Sequence, residues 1–128
     1  MMDIRSRSAP VLLLAMLSGC TTPSAVHDGV YIWGAEVETF SPCGTDKTWW
    51  VLTSEPLWLQ LRDAHQALTT RPYEGIFAEV SGYYDGPASQ EAGGGFATQY
   101  DGLFRITAVR FTRSRADSDC KTAANLSR

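Results

Sequence analysis

Residues 29–40 (GVYIWGAEVETF) are dense in β-branched and aromatic side chains, and Ala35 and Val37 alternate with Glu36 and Glu38. That two-residue period belongs to a strand with one buried face. Gly34 interrupts the run, and an isolated glycine in a strand pattern marks a bulge or sharp bend. The pattern predicts a long, bent first strand, which counts as two if the bend is sharp. The turn residues 41–46 (SPCGTD) follow, and residues 47–53 (KTWWVLT) read as a strand pairing back in a hairpin.

The period then changes. Leu57, Leu61, Ala64 and Leu68 recur at helical spacing, with Arg62, Asp63 and Gln66 on the other side. Ser54 stands at the N-cap, Glu55 complements the dipole and Pro56 is tolerated in the first turn, so a helix is expected over residues 55–68. Residues 75–84 return to period two, with Ile76, Ala78 and Val80 on one face and Phe77, Glu79 and Ser81 on the other. Residues 85–95 (DGPASQEAGGG) read as a flexible loop, residues 96–100 as a weak strand closed by Asp101-Gly102, and residues 103–112 (LFRITAVRFT) as a strong final strand.

The expected fold class is mainly β: a small, OB-like antiparallel barrel of about five strands with one α-helix. One feature sits awkwardly with it, because an OB-fold helix commonly follows the third strand and here it follows the second.

Ahead of this lies a segment that reads as an address. Arg5 and Arg7 precede the apolar run 9–17 (APVLLLAML), which is too short for a membrane helix of ~20 residues and right for a signal-peptide core. Leu17-Ser18-Gly19-Cys20 then looks like a bacterial lipobox, in which the Cys20 thiol takes a lipid. The competing reading is an ordinary secretory signal with an incidental cysteine. The expected organisation is a signal peptide at 1–19, a mobile tether at 20–28 and a single domain at 29–128. Thr21 stands where an aspartate would favour inner-membrane retention in typical lipoproteins, which points to the outer membrane and, with the tether, to its periplasmic face.

The formal net charge of −3 makes nucleic acid an unexpected partner. With Cys20 lipidated, Cys43 and Cys120 remain as an even pair in an oxidising compartment, where a disulfide is expected. A reactive thiol or a metal ligand is the alternative for each; neither has a CxxC partner or a nearby histidine.

Residues 29–51, from Gly29-Val30-Tyr31 through Ala35-Glu36-Val37-Glu38-Thr39-Phe40-Ser41-Pro42-Cys43 to Trp49-Trp50-Val51, resemble the opening of the C-terminal OB domain of NlpE-type outer-membrane lipoproteins. That family has a tyrosine, an A-E-x-x-T-F-x-x-C run, a short turn and a W-x-V strand in this order. Val80-Ser81-Gly82 and Cys120 extend the likeness. The resemblance implies an OB-like barrel and a Cys43–Cys120 bond, in a family tied to envelope-stress and surface sensing through the Cpx pathway. The sequence has no counterpart of the family's N-terminal domain with its CxxC motif, so copper binding and Cpx signalling are not expected to carry over.

Candidate chemistry is sparse. His27 and His65 have no second ligand at metal spacing, and neither a metal nor a cofactor is expected. Glu36 and Glu38 are expected to share a solvated strand face rather than to act as an acid-base pair. Arg105, Arg110, Arg113 and Arg115 make the C-terminal strand and tail basic, a patch for an acidic partner or a solvated sheet edge. Tyr31, Trp33, Trp49, Trp50, Trp58, Tyr83 and Tyr84 supply rings for a core, with some left to line a groove. Gly93-Gly94-Gly95 lacks the Gly-Lys-Ser/Thr of a phosphate cradle, and no serine lies in a GxSxG context. The expected function is a non-enzymatic envelope lipoprotein that binds a protein or polymer partner or serves envelope sensing. The alternative is a lysozyme-inhibitor-like lipoprotein acting through the loop at 85–95.

Overall fold

The computed structural model describes residues 23–120. The signal peptide and Cys20 lie outside the described residues. The chain runs β1 (Ala25–Gly34), β2 (Val37–Pro42), β3 (Trp49–Leu52), α1 (Glu55–Leu68), β4 (Ile76–Tyr84), a 3₁₀ turn (Gly95–Gln99) and β5 (Leu103–Ser114). The strands close into a barrel in the order β1-β2-β3-β5-β4. All neighbours are antiparallel except β3 and β5, which pair in parallel at Val51↔Phe104.

The long first strand is a hairpin. Pairing runs from Gly29↔Pro42 to Gly34↔Val37, and the chain reverses at Ala35 and Glu36. Glu36 takes a left-handed φ of 60°, a conformation that costs a side-chain-bearing residue and that alternation cannot foretell. With that strand counted as two, the helix follows the third strand, as in other OB-folds, and the topological objection disappears.

Two further expectations are corrected. Residues 25–28, assigned to a tether, form the start of β1 and pair with β4 from Ala25↔Gly82 to Asp28↔Glu79. Backbone pairing recruits them although Val26 is exposed and nothing in the stretch alternates. Residues 96–100, expected as a weak strand, instead fall in the 3₁₀ turn Gly95–Gln99 and its C-cap Tyr100, because Ala97 and Tyr100 donate their N–H groups back to the Gly94 and Ala97 carbonyls. The preceding loop also folds on itself, with the Ser89 and Gly94 N–H groups bonded to Ala92 and Ser89 carbonyls.

The inward faces meet in one core of Tyr31, Phe40, Val51, Leu61, Ile76, Ala78, Val80, Phe104 and Ile106. Its centre is a stack of rings: Phe104 lies 5.2 Å from Phe40 and 5.0 Å from Trp49, both near parallel. Helix α1 closes one end by burying Leu61 and His65, whose ring bonds the Glu74 carbonyl. Register shifts in the β4–β5 ladder between Glu79 and Val80 and between Ser81 and Gly82 supply the coiling that a small closed barrel needs. Cys43, in the β2–β3 turn, is bonded to Cys120 beyond β5.

Candidate functional site

The β1–β2 register sets Trp33 opposite Glu38 on the inner side of the hairpin's outer end. β2 pairs with β3 only at Thr39↔Trp50 and Phe40↔Trp49. Val37 and Glu38 therefore run past the end of that ladder. The first turns of α1 carry Trp58 toward the gap, where its ring meets Trp33 at 6.5 Å and 63°. The result is a cleft of about 350 Å³, open to solvent and lined by Trp33, Trp50, Trp58, Glu36, Glu38 and the backbone of the hairpin tip. Trp33 also borders a smaller hollow of about 230 Å³ with His65 and Pro72.

Glu38 is half-buried and accepts a hydrogen bond at Oε1 from the Tyr31 hydroxyl, 2.9 Å away. Burial pushes its carboxyl up to about 7, and the Tyr31 hydrogen bond offsets part of that rise. Tyr31 is pushed far above its ordinary value, by burial first and by the Glu38 charge second, and keeps its proton as the donor. Glu38 thus titrates near neutrality beside three indoles. Arg62 lies 5.0 Å over the Trp58 ring and is bonded to Asp63.

The expectation that Glu36 and Glu38 share a solvated face is overturned. Glu36 is exposed in the turn, whereas Glu38 points inward with the Phe40 face. His27 and His65 are also apart: His27 packs edge-on against Phe104 at 5.2 Å, and His65 is buried on the inner face of α1. Among the described residues no three His, Cys, Asp or Glu side chains converge on a position that would hold a metal ion.

Arg105, Arg110, Arg113 and Arg115 are spread along β5 and just past its end. Arg105 pairs in register with Tyr83 at one end of β4 and Arg113 with Phe77 at the other. Three of them have carboxylate partners: Arg105 with Asp85 at 3.2 Å, Arg110 with Glu79 at 3.0 Å and Arg113 with Asp119 at 2.6 Å. Both guanidinium nitrogens of Arg113 bond Asp119, which together with the Ala116 N–H hold that carboxyl down at about 2. Arg115 is exposed near the same carboxylate. Gly93 and Gly94 take left-handed φ values in the loop after β4, and the 3₁₀ turn Gly95–Gln99 follows them.

The tryptophans were foreseeable as groove residues. Which three converge was not, because that depends on the hairpin reversal and on where the β2–β3 ladder stops.

Among models of protein families, that of the NlpE C-terminal OB domain matches residues 21–108. Neither the curated proteins nor the solved structures contain a match to the chain.

Proposed function

The chain belongs to the family of the NlpE C-terminal OB domain and is an NlpE-like envelope protein, and from that premise we propose that it is a lipoprotein held by acyl chains on Cys20 at the periplasmic face of the outer membrane, whose barrel binds a protein or polymer partner and contributes to envelope sensing without catalysing a reaction. The observation that carries the binding role is the cleft. Indoles contribute most to recognition when they are rigid and part-desolvated before the partner arrives. Trp33, Trp50 and Trp58 are all half-buried, on two strands and a helix rather than on loops.

Crosslinking in intact envelopes, followed by capture and mass spectrometry, tests this reading. Wild type is expected to bring down a defined partner that the double variant Trp50→Ala, Trp58→Ala loses. Equal capture by both would remove the cleft from the binding role. In the same cells Cys20→Ala should abolish acyl incorporation and membrane retention; an unacylated wild-type protein overturns the anchor. The arginines of β5 and the adjoining Arg115 offer a second contact surface for an acidic partner, tested by the effect of Arg110→Glu, Arg115→Glu on the same capture.

The lysozyme-inhibitor reading is favoured by one observation, the exposed Phe96 in the 3₁₀ turn that follows the loop at 85–95. Absence of inhibition by the purified protein would remove it.

A further inference from the structure

The cleft is not merely aromatic. Both ionisable side chains that line it, Glu36 and Glu38, are acids, and no basic side chain does. Glu38 Oε1 is taken by Tyr31, and its second oxygen has no hydrogen-bond donor among the described residues. No buried side-chain oxygen or nitrogen among those residues is without a partner, so that second oxygen is in reach of solvent. Indole faces attract cations through the ring quadrupole, and Trp58 already holds the Arg62 guanidinium, a residue outside the cleft lining. A neutral sugar would gain stacking from these rings and hydrogen bonds from its hydroxyls to the carboxylates, but no charge pairing. A cation is attracted by rings and carboxylates alike.

We propose that the Trp33–Trp50–Trp58 cleft takes a primary ammonium, presented as a lysine side chain by a protein partner, with its charge against Glu38 and its methylene stem along the indoles. This rests on the binding role proposed above and names the chemistry of the same site. A lysine ammonium, ordinarily titrating near ~10.4, stays charged while Glu38 changes state, so the complex forms with the ionised carboxylate and displaces its proton. The titratable groups around Glu38 are Tyr31 from β1, which remains protonated, Glu36 in the turn, and His65 of α1, which lies behind Tyr31 and Trp33 with its ring bonded to the Glu74 carbonyl.

The test is a tryptophan-fluorescence titration of the barrel with Nα-acetyl-lysine methylamide at pH 6 and pH 8, beside the norleucine analogue and N-acetylglucosamine. The lysine compound is expected to bind about tenfold more tightly at pH 8, following ionisation of Glu38 around pH 7. Norleucine and the sugar should be silent. Glu38→Gln keeps an oxygen for the Tyr31 hydroxyl, and it should lose both the affinity and the pH dependence while its melting curve shows a folded barrel. Equal binding of norleucine or of the sugar overturns the proposal, as does unchanged lysine binding by Glu38→Gln. Envelope capture that survives Glu38→Gln but is lost with the tryptophan pair would sink the ammonium and leave the binding role standing.

Discussion

At the scale of single residues, Glu38 is the side chain whose environment departs furthest from its sequence pattern. Alternation assigns it to a wet face beside Glu36; the reversal at Glu36 changes the partner set and turns Glu38 inward over Tyr31. Folding raises its carboxyl from 4.5 to about 7. A group raised in this way favours the folded state in its protonated form, so that contribution is complete below about pH 4.5 and disappears as the pH rises through 7. Glu38→Gln is therefore expected to raise the melting temperature at pH 8 and to change it little at pH 5. The gain at pH 8 should be on the order of 2 kcal/mol, discounted for partial exposure. Melting curves at the two pH values decide it, and a larger gain at pH 5 would contradict the assignment.

At the scale of elements, periodicity placed α1 at Glu55–Leu68, as observed, and β3, β4 and β5 to within a few residues, since each carries an uninterrupted pattern with punctuation at both ends. It failed where long-range pairing decides. The start of β1 has no pattern of its own and exists because β4 offers it a ladder. The β1–β2 turn has no Asn-Gly or Asp-Gly to announce it, only Gly34 one residue early. The candidate cleft inherits that difficulty, because its rings were visible in the sequence and their convergence rests on the unannounced turn. Strand glycines have a geometric role too. A Cβ on Gly82 would stand 2.4 Å from the Arg105 carbonyl oxygen and 2.9 Å from the Phe104 ring, beside the β4–β5 register shift. Backbone has nowhere to retreat there. Gly82→Ala should destabilise the barrel by about 1–3 kcal/mol, measurable by urea denaturation with little change in slope. A neutral result would mean that the two strands part more easily than the ladder implies.

At the scale of the whole molecule, the OB-like closure was readable because strand count, helix position and the family resemblance agreed once the first strand is counted as two. The Cys43–Cys120 bond spans a sequence separation of 77 and ties the β2–β3 turn to the segment after β5. The chain-entropy argument assigns such a link about 4–5 kcal/mol, an upper figure. Cys43→Ser and Cys120→Ser are expected to lower the melting temperature of the oxidised protein equally, with the double variant no worse. Unequal single variants would show that the sulfurs contribute separately.

β1 begins at Ala25, five positions after Cys20, and runs ten residues to Gly34 beside the cleft. A chain fastened by lipid at position 20 thus has a leash of only about 17 Å before the rigid sheet starts. The strand then carries the hairpin tip roughly another 30 Å along. With the lipid on Cys20 proposed above, the indoles would sit at the end of β1 opposite the one nearest the anchor.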